Sequence, residues 1–349
     1  MRRLVYIAVA WLCASALAVA DNGFSRAMER LSLNAPQSVA RLYGPQPQAQ
    51  WSRDHYQQLL EAVEASAADG LNPDDYHRRV LVAGGTSAAQ RDVLASDAYL
   101  SLAAHLLTGK LDPVSIEVDW TAMGRQRDLV AHLQQALVRG NIAASLNELL
   151  PQQPRYHVLK AALQRYRQFD DSGNWPQLSD GPLLKPGTRS PRIKQLRARL
   201  QRSGDLPLND ESAEAELYGA GLVIALKRFQ QRANLEPDGI VGPTTVRELN
   251  RRPRDRIDQL RVNLERWRWL PDDLGERHIR VNIADYQLEV HQGSDITAAH
   301  DVVVGRAYRQ TPVFSAMMSY LVFNPWWETP AKLAKNDILP KFQAERWIA

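Results

Sequence analysis

The chain has 349 residues, 44% hydrophobic and 23% charged, a soluble composition long enough for two or three domains with their own cores. Its formal charge of +4 is too small a surplus to argue for a nucleic-acid partner. The only cysteine is Cys13.

Residues 1–20 read as an export signal: Arg2 and Arg3 form a basic start, Leu4–Leu17 an apolar run, and Ala18-Val19-Ala20 a small-residue cleavage site before Asp21. The run is shorter than the roughly 20 residues that span a bilayer, so no stable membrane insertion is expected after cleavage, an uncleaved anchor being the alternative. Bulky Trp11-Leu12 before Cys13 disfavours a lipoprotein site. Cleavage removes Arg2 and Arg3, lowers the charge to +2, and leaves a chain without a thiol that relies on its core rather than on disulfides.

Residues 21–180 form the first expected domain, all α-helical. Tyr56, Leu59, Leu60 and Val63 repeat at three and four, with Gly70 as a left-handed cap and Pro73 opening a short helix. Helices are expected over 91–109, over 127–150 up to Pro151, and over Tyr156–Phe169. The Gly-, Pro- and Ser-rich stretch 171–190 reads as a linker, narrowed to 181–188 in the domain division. Residues 189–252 then give three short helices: Ile193, Leu196 and Leu200 stripe the first, Leu222, Ala225, Leu226 and Phe229 the second, and Pro243 opens the third. A connecting helix fills 253–277. From residue 278 to 349 the period changes to two: strands are expected at Ile279–Ile283, around Leu288 and Val290, at Val302–Val304 and at Tyr320–Phe323. The fold class is therefore multidomain α+β, an all-α scaffold and a three-helix bundle followed by an incomplete, mostly-β domain.

The loop Asp238-Gly239-Ile240-Val241-Gly242-Pro243-Thr244-Thr245 joins the second and third helices of the bundle, and by itself is no more than a well-built turn. With Gln195-Leu196-x-x-x-Leu200 and Phe229-Gln230 it makes Ser190–Asn250 resemble the peptidoglycan-binding module of cell-wall enzymes. Arg251, Arg252, Arg254, Arg256 and Arg261 read either as an attraction for stem-peptide carboxylates or as a solvated helical face. Trp267 and Trp269, among three charges, read as residues packed between domains with arginine stems over them.

That tryptophan segment and Ile279-x-Val281-Asn282-Ile283, Val303-Val304-Gly305-Arg306, Thr311-Pro312-Val313-Phe314 and Phe323-Asn324-Pro325-Trp326-Trp327-Glu328-Thr329-Pro330 are similar, in order, to the catalytic domain of the large periplasmic L,D-transpeptidases. Asp69-Gly70-Leu71-Asn72-Pro73-x-x-Tyr76-His77 and Pro154-x-Tyr156-x-x-Leu159 resemble that family's helical scaffold. The resemblance implies a periplasmic protein of a Gram-negative bacterium that binds peptidoglycan, with other wall-synthesis proteins as further partners. Family members cross-link stem peptides 3-3 through a cysteine thioester, releasing D-alanine and passing the acyl group to a meso-diaminopimelate amine, chemistry that needs a thiolate, a histidine and oxyanion donors.

The family's Ser-His-Gly-Cys-x-Arg motif does not occur in this sequence, so no catalytic residue is assigned and transferase activity of this polypeptide is left open. The expectation is a chain truncated before that motif, with a non-catalytic peptidoglycan-binding scaffold as the alternative. Asn324 and Trp327 are the substrate-binding residues that the resemblance implies, core packing of the tryptophan at a strand end being the other reading. No cofactor and no metal are expected: His278, His291 and His300 lack helical ligand spacing, which disfavours a zinc-dependent wall hydrolase.

Overall fold

The computed structural model describes residues 22–117, 120–208, 215–306, 309–326 and 328–344. The expected leader with Cys13, and Trp327, lie outside the described residues. The chain forms two units, Met1–Val313 and Phe314–Ala349.

The first unit opens with the helices α1 (Asn22–Arg30), α2 (Pro36–Tyr43), α3 (Arg53–Ala65), α4 (Arg78–Ala83) and α5 (Ala88–Thr108). Helix α5 is the centre of the core. Val93, Ala95, Ala98, Tyr99, Leu102 and Ala103 are fully buried, so it is enclosed on every side rather than amphipathic. A capping box between Ser87 and Gln90 starts it. Its polar residues serve the segments packed around it. Buried Asp97 accepts the amides of Asn34 (2.9 Å) and Ala35 (2.8 Å), and Asp92 accepts those of Gln50 and Trp51 (3.1 Å each). Incoming loops thereby satisfy amides that burial would otherwise leave without water.

The helix expected over 127–150 is two, α6 (Leu129–Arg139) and α7 (Ile142–Asn147). Gly140 separates them at φ 68°, ending α6 where apolar spacing alone reads straight through. Helix α8 (Pro154–Asp171) closes the scaffold.

The three-helix bundle follows as α9 (Arg192–Ser203), α10 (Ala220–Arg232) and α11 (Pro243–Leu249), around Ile193, Leu196, Leu200, Leu222, Leu226, Phe229 and Leu249. Part of the stretch read as linker belongs to this core: Leu178 and Leu184 are buried, and Leu184 bridges Val241. Helix α12 (Pro253–Arg268) then packs on α8 and joins the scaffold core through Leu264.

An antiparallel sheet β1 (Arg277–Asn282), β2 (Gln287–Gln292), β3 (Asp295–Asp301) completes the unit, in that spatial order. Tyr286 and Gly293, both at φ 57°, make its turns. The third strand is Asp295–Asp301 and not Val302–Val304. Its sequence DITAAHD has little apolar alternation because both faces are largely exposed, so the hairpin turn and the ladder to β2 define it. Ile279 pairs with Val290 and Val281 with Leu288 on one face, where Ile279 and Val281 stay about half exposed.

In the second unit, Ala331–Leu333, a π-helical turn Ala334–Ile338 and Leu339–Ala344 are helical. Tyr320–Phe323 is not a strand: among the described residues of this unit no second strand offers a ladder, and an apolar run without one has no partner for its amides.

Candidate functional site

The bundle's loop is built around one buried amide side chain. Gln230, 1% exposed, donates from Nε2 to Asp238 Oδ1 (2.8 Å) and the Ile240 carbonyl (3.1 Å) and accepts the Gly239 amide on Oε1 (2.9 Å). Asp238 also accepts the Ile240 amide (2.8 Å), and that bond, foremost, holds its carboxyl below the usual range. Gly239 has φ 76°, and a Cβ there would stand 3.0 Å from Lys227 Cε and 3.1 Å from Val223 Cγ1. The loop therefore needs glycine for conformation and for close approach. The Tyr218 hydroxyl caps the Gly239 carbonyl at 2.8 Å, and burial pushes its pKa up. Pro243 begins α11 directly behind the loop.

Also in the bundle, Arg199 is 3% exposed, its guanidinium 3.7 Å from the Trp175 ring centroid and its Nε donating to the Leu249 carbonyl at 2.6 Å. Burial pushes its pKa down to about 10, so it stays charged at neutral pH. The arginines after the bundle also serve structure. Arg251 and Arg256 both pair with Glu248 at 2.8 Å, and Arg261 donates to the Gly70 carbonyl at 3.0 Å.

Helix α12 is anchored to the scaffold. Arg268, 1% exposed, donates to the Asp69 carbonyl (2.9 Å), the Tyr156 hydroxyl (3.2 Å) and Glu265 Oε2 (2.6 Å). Glu265 in turn accepts the amides of Lys110 (2.6 Å) and Leu111 (2.9 Å) and the Trp269 indole (3.1 Å). Gly109 permits this: at φ 86° a Cβ would fall 2.6 Å from Glu265 Oε1. Trp269 is buried edge-on to Trp120 with Arg266 over it at 5.8 Å, the docking anticipated for this segment.

On the sheet, Glu289 gathers Arg155 (2.9 Å), His291 (3.0 Å) and Arg280, while His278 stacks on His291 at 4.5 Å. Burial alone would raise the Glu289 pKa, but hydrogen bonds from Arg280, His291 and Arg155 outweigh it and hold it at about 2. A folded pKa below the unfolded value of about 4.3 stabilises above that pH and is lost as pH falls towards 2. Glu289→Gln is expected to loosen β2, read as faster amide exchange at pH 7, with the difference from wild type vanishing near pH 2. Equal exchange at pH 7 would remove Glu289 as a holding group.

Residues 37–163 match the family described as "Scaffold domain", residues 189–249 the "Putative peptidoglycan binding domain", and residues 276–349 the "L,D-transpeptidase catalytic domain". In chain order these are a scaffold, a peptidoglycan-binding segment and an L,D-transpeptidase catalytic segment, each matched over less than half of the chain.

Two curated relatives share parts of it. A "Putative L,D-transpeptidase" of Haemophilus influenzae is 37% identical over 87 residues, covering 25% of this chain and 17% of that protein. The N-acetylmuramoyl-L-alanine amidase CwlM of Mycobacterium tuberculosis is 38% identical over 80 residues, covering 21% and 20%. The chain thus spans about a fifth of the length of the curated relatives it matches.

Asn324, within the segment matched to the catalytic domain, is exposed at φ 48° in the second unit. Sequence reading assigned no role to Gln230, Arg199 or Glu289. A Gln at the end of an apolar helix face, eight residues before an Asp-Gly turn, was the available signal for the first. Among the described residues no group of three His, Cys, Asp or Glu could hold a metal ion, and no helix is long and apolar enough to cross a membrane.

Proposed function

We propose that the chain acts in the periplasm of a Gram-negative bacterium after export by residues 1–20, holding peptidoglycan through its bundle. The loop locked by Gln230, in a segment that matches a peptidoglycan-binding family, carries this reading. Asn324 and Trp327 form part of the surface that takes the donor stem peptide. The family chemistry is 3-3 cross-linking: a thiolate attacks the tetrapeptide stem, D-alanine leaves, and the thioester passes to a neighbouring amine. Residues 14–349 contain no cysteine. A polypeptide of residues 21–349 accordingly binds wall without forming the thioester.

Two measurements test this. The polypeptide is expected to co-sediment with purified sacculi, and its mass is expected to be unchanged after incubation with a carbapenem, which acylates the family's cysteine. Failure to co-sediment removes the binding function, and a carbapenem adduct on residues 21–349 removes the account of its chemistry.

A further inference from the structure

One helix pair reaches from the bundle to the sheet. Helices α8 and α12 run antiparallel, with Tyr156 at the start of α8 beside Arg268 at the end of α12. At that end Gln153 donates to the Pro271 carbonyl (3.0 Å) on the way into β1, and Arg155 pairs with Glu289 on β2 (2.9 Å). At the opposite end α8 meets the bundle through an alternation of cations and rings. Phe169 lies between the guanidinium groups of Arg165 (5.3 Å) and Arg202 (5.5 Å) and against Trp175 (5.4 Å), which covers Arg199 (3.7 Å). Trp175 donates to the Arg251 carbonyl (2.9 Å), tying the stack to the start of α12, where Arg256 pairs with Glu248 of α11 (2.8 Å).

Domains joined by exposed linkers move independently unless a substantial interface holds them. Here aromatic area and the buried Arg199 supply that interface at one end; at the other the buried Arg268–Glu265–Tyr156 network ties the two helices together, and the Gln153 carbonyl contact and the Arg155–Glu289 pair reach the sheet. We propose that α8 and α12 form a rigid strut that fixes the peptidoglycan-binding bundle at a set distance from the first sheet of the catalytic domain. From residue 155 to residue 169 the strut measures about 20 Å, at about 1.5 Å per residue. Its use, presenting wall held by the bundle at constant separation from the sheet, rests on the peptidoglycan-binding reading.

The test measures distance in the polypeptide of residues 21–349, which has no cysteine of its own. Nitroxide labels at Ile224→Cys on α10 and Ser294→Cys in the β2–β3 turn report the separation by pulsed electron resonance, both positions being exposed. Wild type is expected to give one narrow distribution, widened about two-fold by Phe169→Ala with Trp175→Ala as the modules regain independent motion. Arg155→Ala, at the exposed sheet end, is expected to widen it without touching either core. A distribution already broad in wild type, or one that stays narrow in both variants, overturns the strut. Sacculus retention is expected to be unchanged in these variants. Absent retention in wild type would remove the binding reading alone, leaving the distances to decide the strut.

Discussion

Arg268→Ala is expected to destabilise the first unit by about 3–5 kcal/mol, because it leaves a buried carboxylate without its cation. Glu265 is placed by three donors besides Arg268, so the carboxylate stays in position when the guanidinium goes. Burial pushes the Glu265 pKa up, while the charge of Arg268, the Leu111 amide and the other donors push it down, for a net lowering. Stabilisation from a lowered carboxyl is present above the unfolded pKa of about 4.3 and fades as pH falls below it. The gap between wild type and Glu265→Gln should therefore narrow in acid. Urea midpoints followed by tryptophan fluorescence, on Arg268→Ala, Glu265→Gln and the double variant, read this directly. Removing both charges should cost less than removing the arginine alone, since the double variant buries no unpaired ion. A loss below about 1 kcal/mol for Arg268→Ala would mean that water reaches the site and that the network does not hold α12.

Gln230→Leu is the second large effect. The change removes three hydrogen bonds and leaves the buried Gly239 amide without its partner, at about 1–3 kcal/mol, while the Ile240 carbonyl keeps the Gly242 amide (3.2 Å) and the Thr245 hydroxyl (3.4 Å). A bundle of this size has only a few kcal/mol in reserve. The expectation is loss of amide protection from Gly239 to Val241, with sacculus retention falling at least about ten-fold, equivalent to 1.4 kcal/mol. Helix content of the scaffold, measured by circular dichroism, should survive because its core is separate. Exchange that speeds up while retention stays intact would show that the loop supports the bundle and takes no part in holding wall.

The helices were legible because their apolar stripes repeat at 3.6 and their ends carry glycine and proline. Where that reading failed, competing signals were silent. The apolar spacing of 127–150 continues past Gly140, and only the left-handed backbone there separates α6 from α7. Strand β3 has almost no hydrophobic pattern, since its ladder and turn define it. The packing of Arg266 over Trp269 was readable because amphipathic side chains of both kinds sit within one short run. The duties of Asp92 and Asp97 were not. Each serves amides brought near by tertiary packing, and polar spacing along one helix carries no trace of the loops it will meet.

The sheet itself has a practical consequence. Among the described residues strand β3 is one edge of the sheet and β1, with half-exposed Ile279 and Val281, the other; the ends of β3 carry Asp295 and Asp301. Like charges facing one another across two molecules discourage edge-to-edge zippering. Added salt shortens the reach of that repulsion to about 3 Å at molar strength, while leaving the apolar attraction intact. Concentrated stocks should therefore stay clear in dilute buffer and turn turbid as sodium chloride rises.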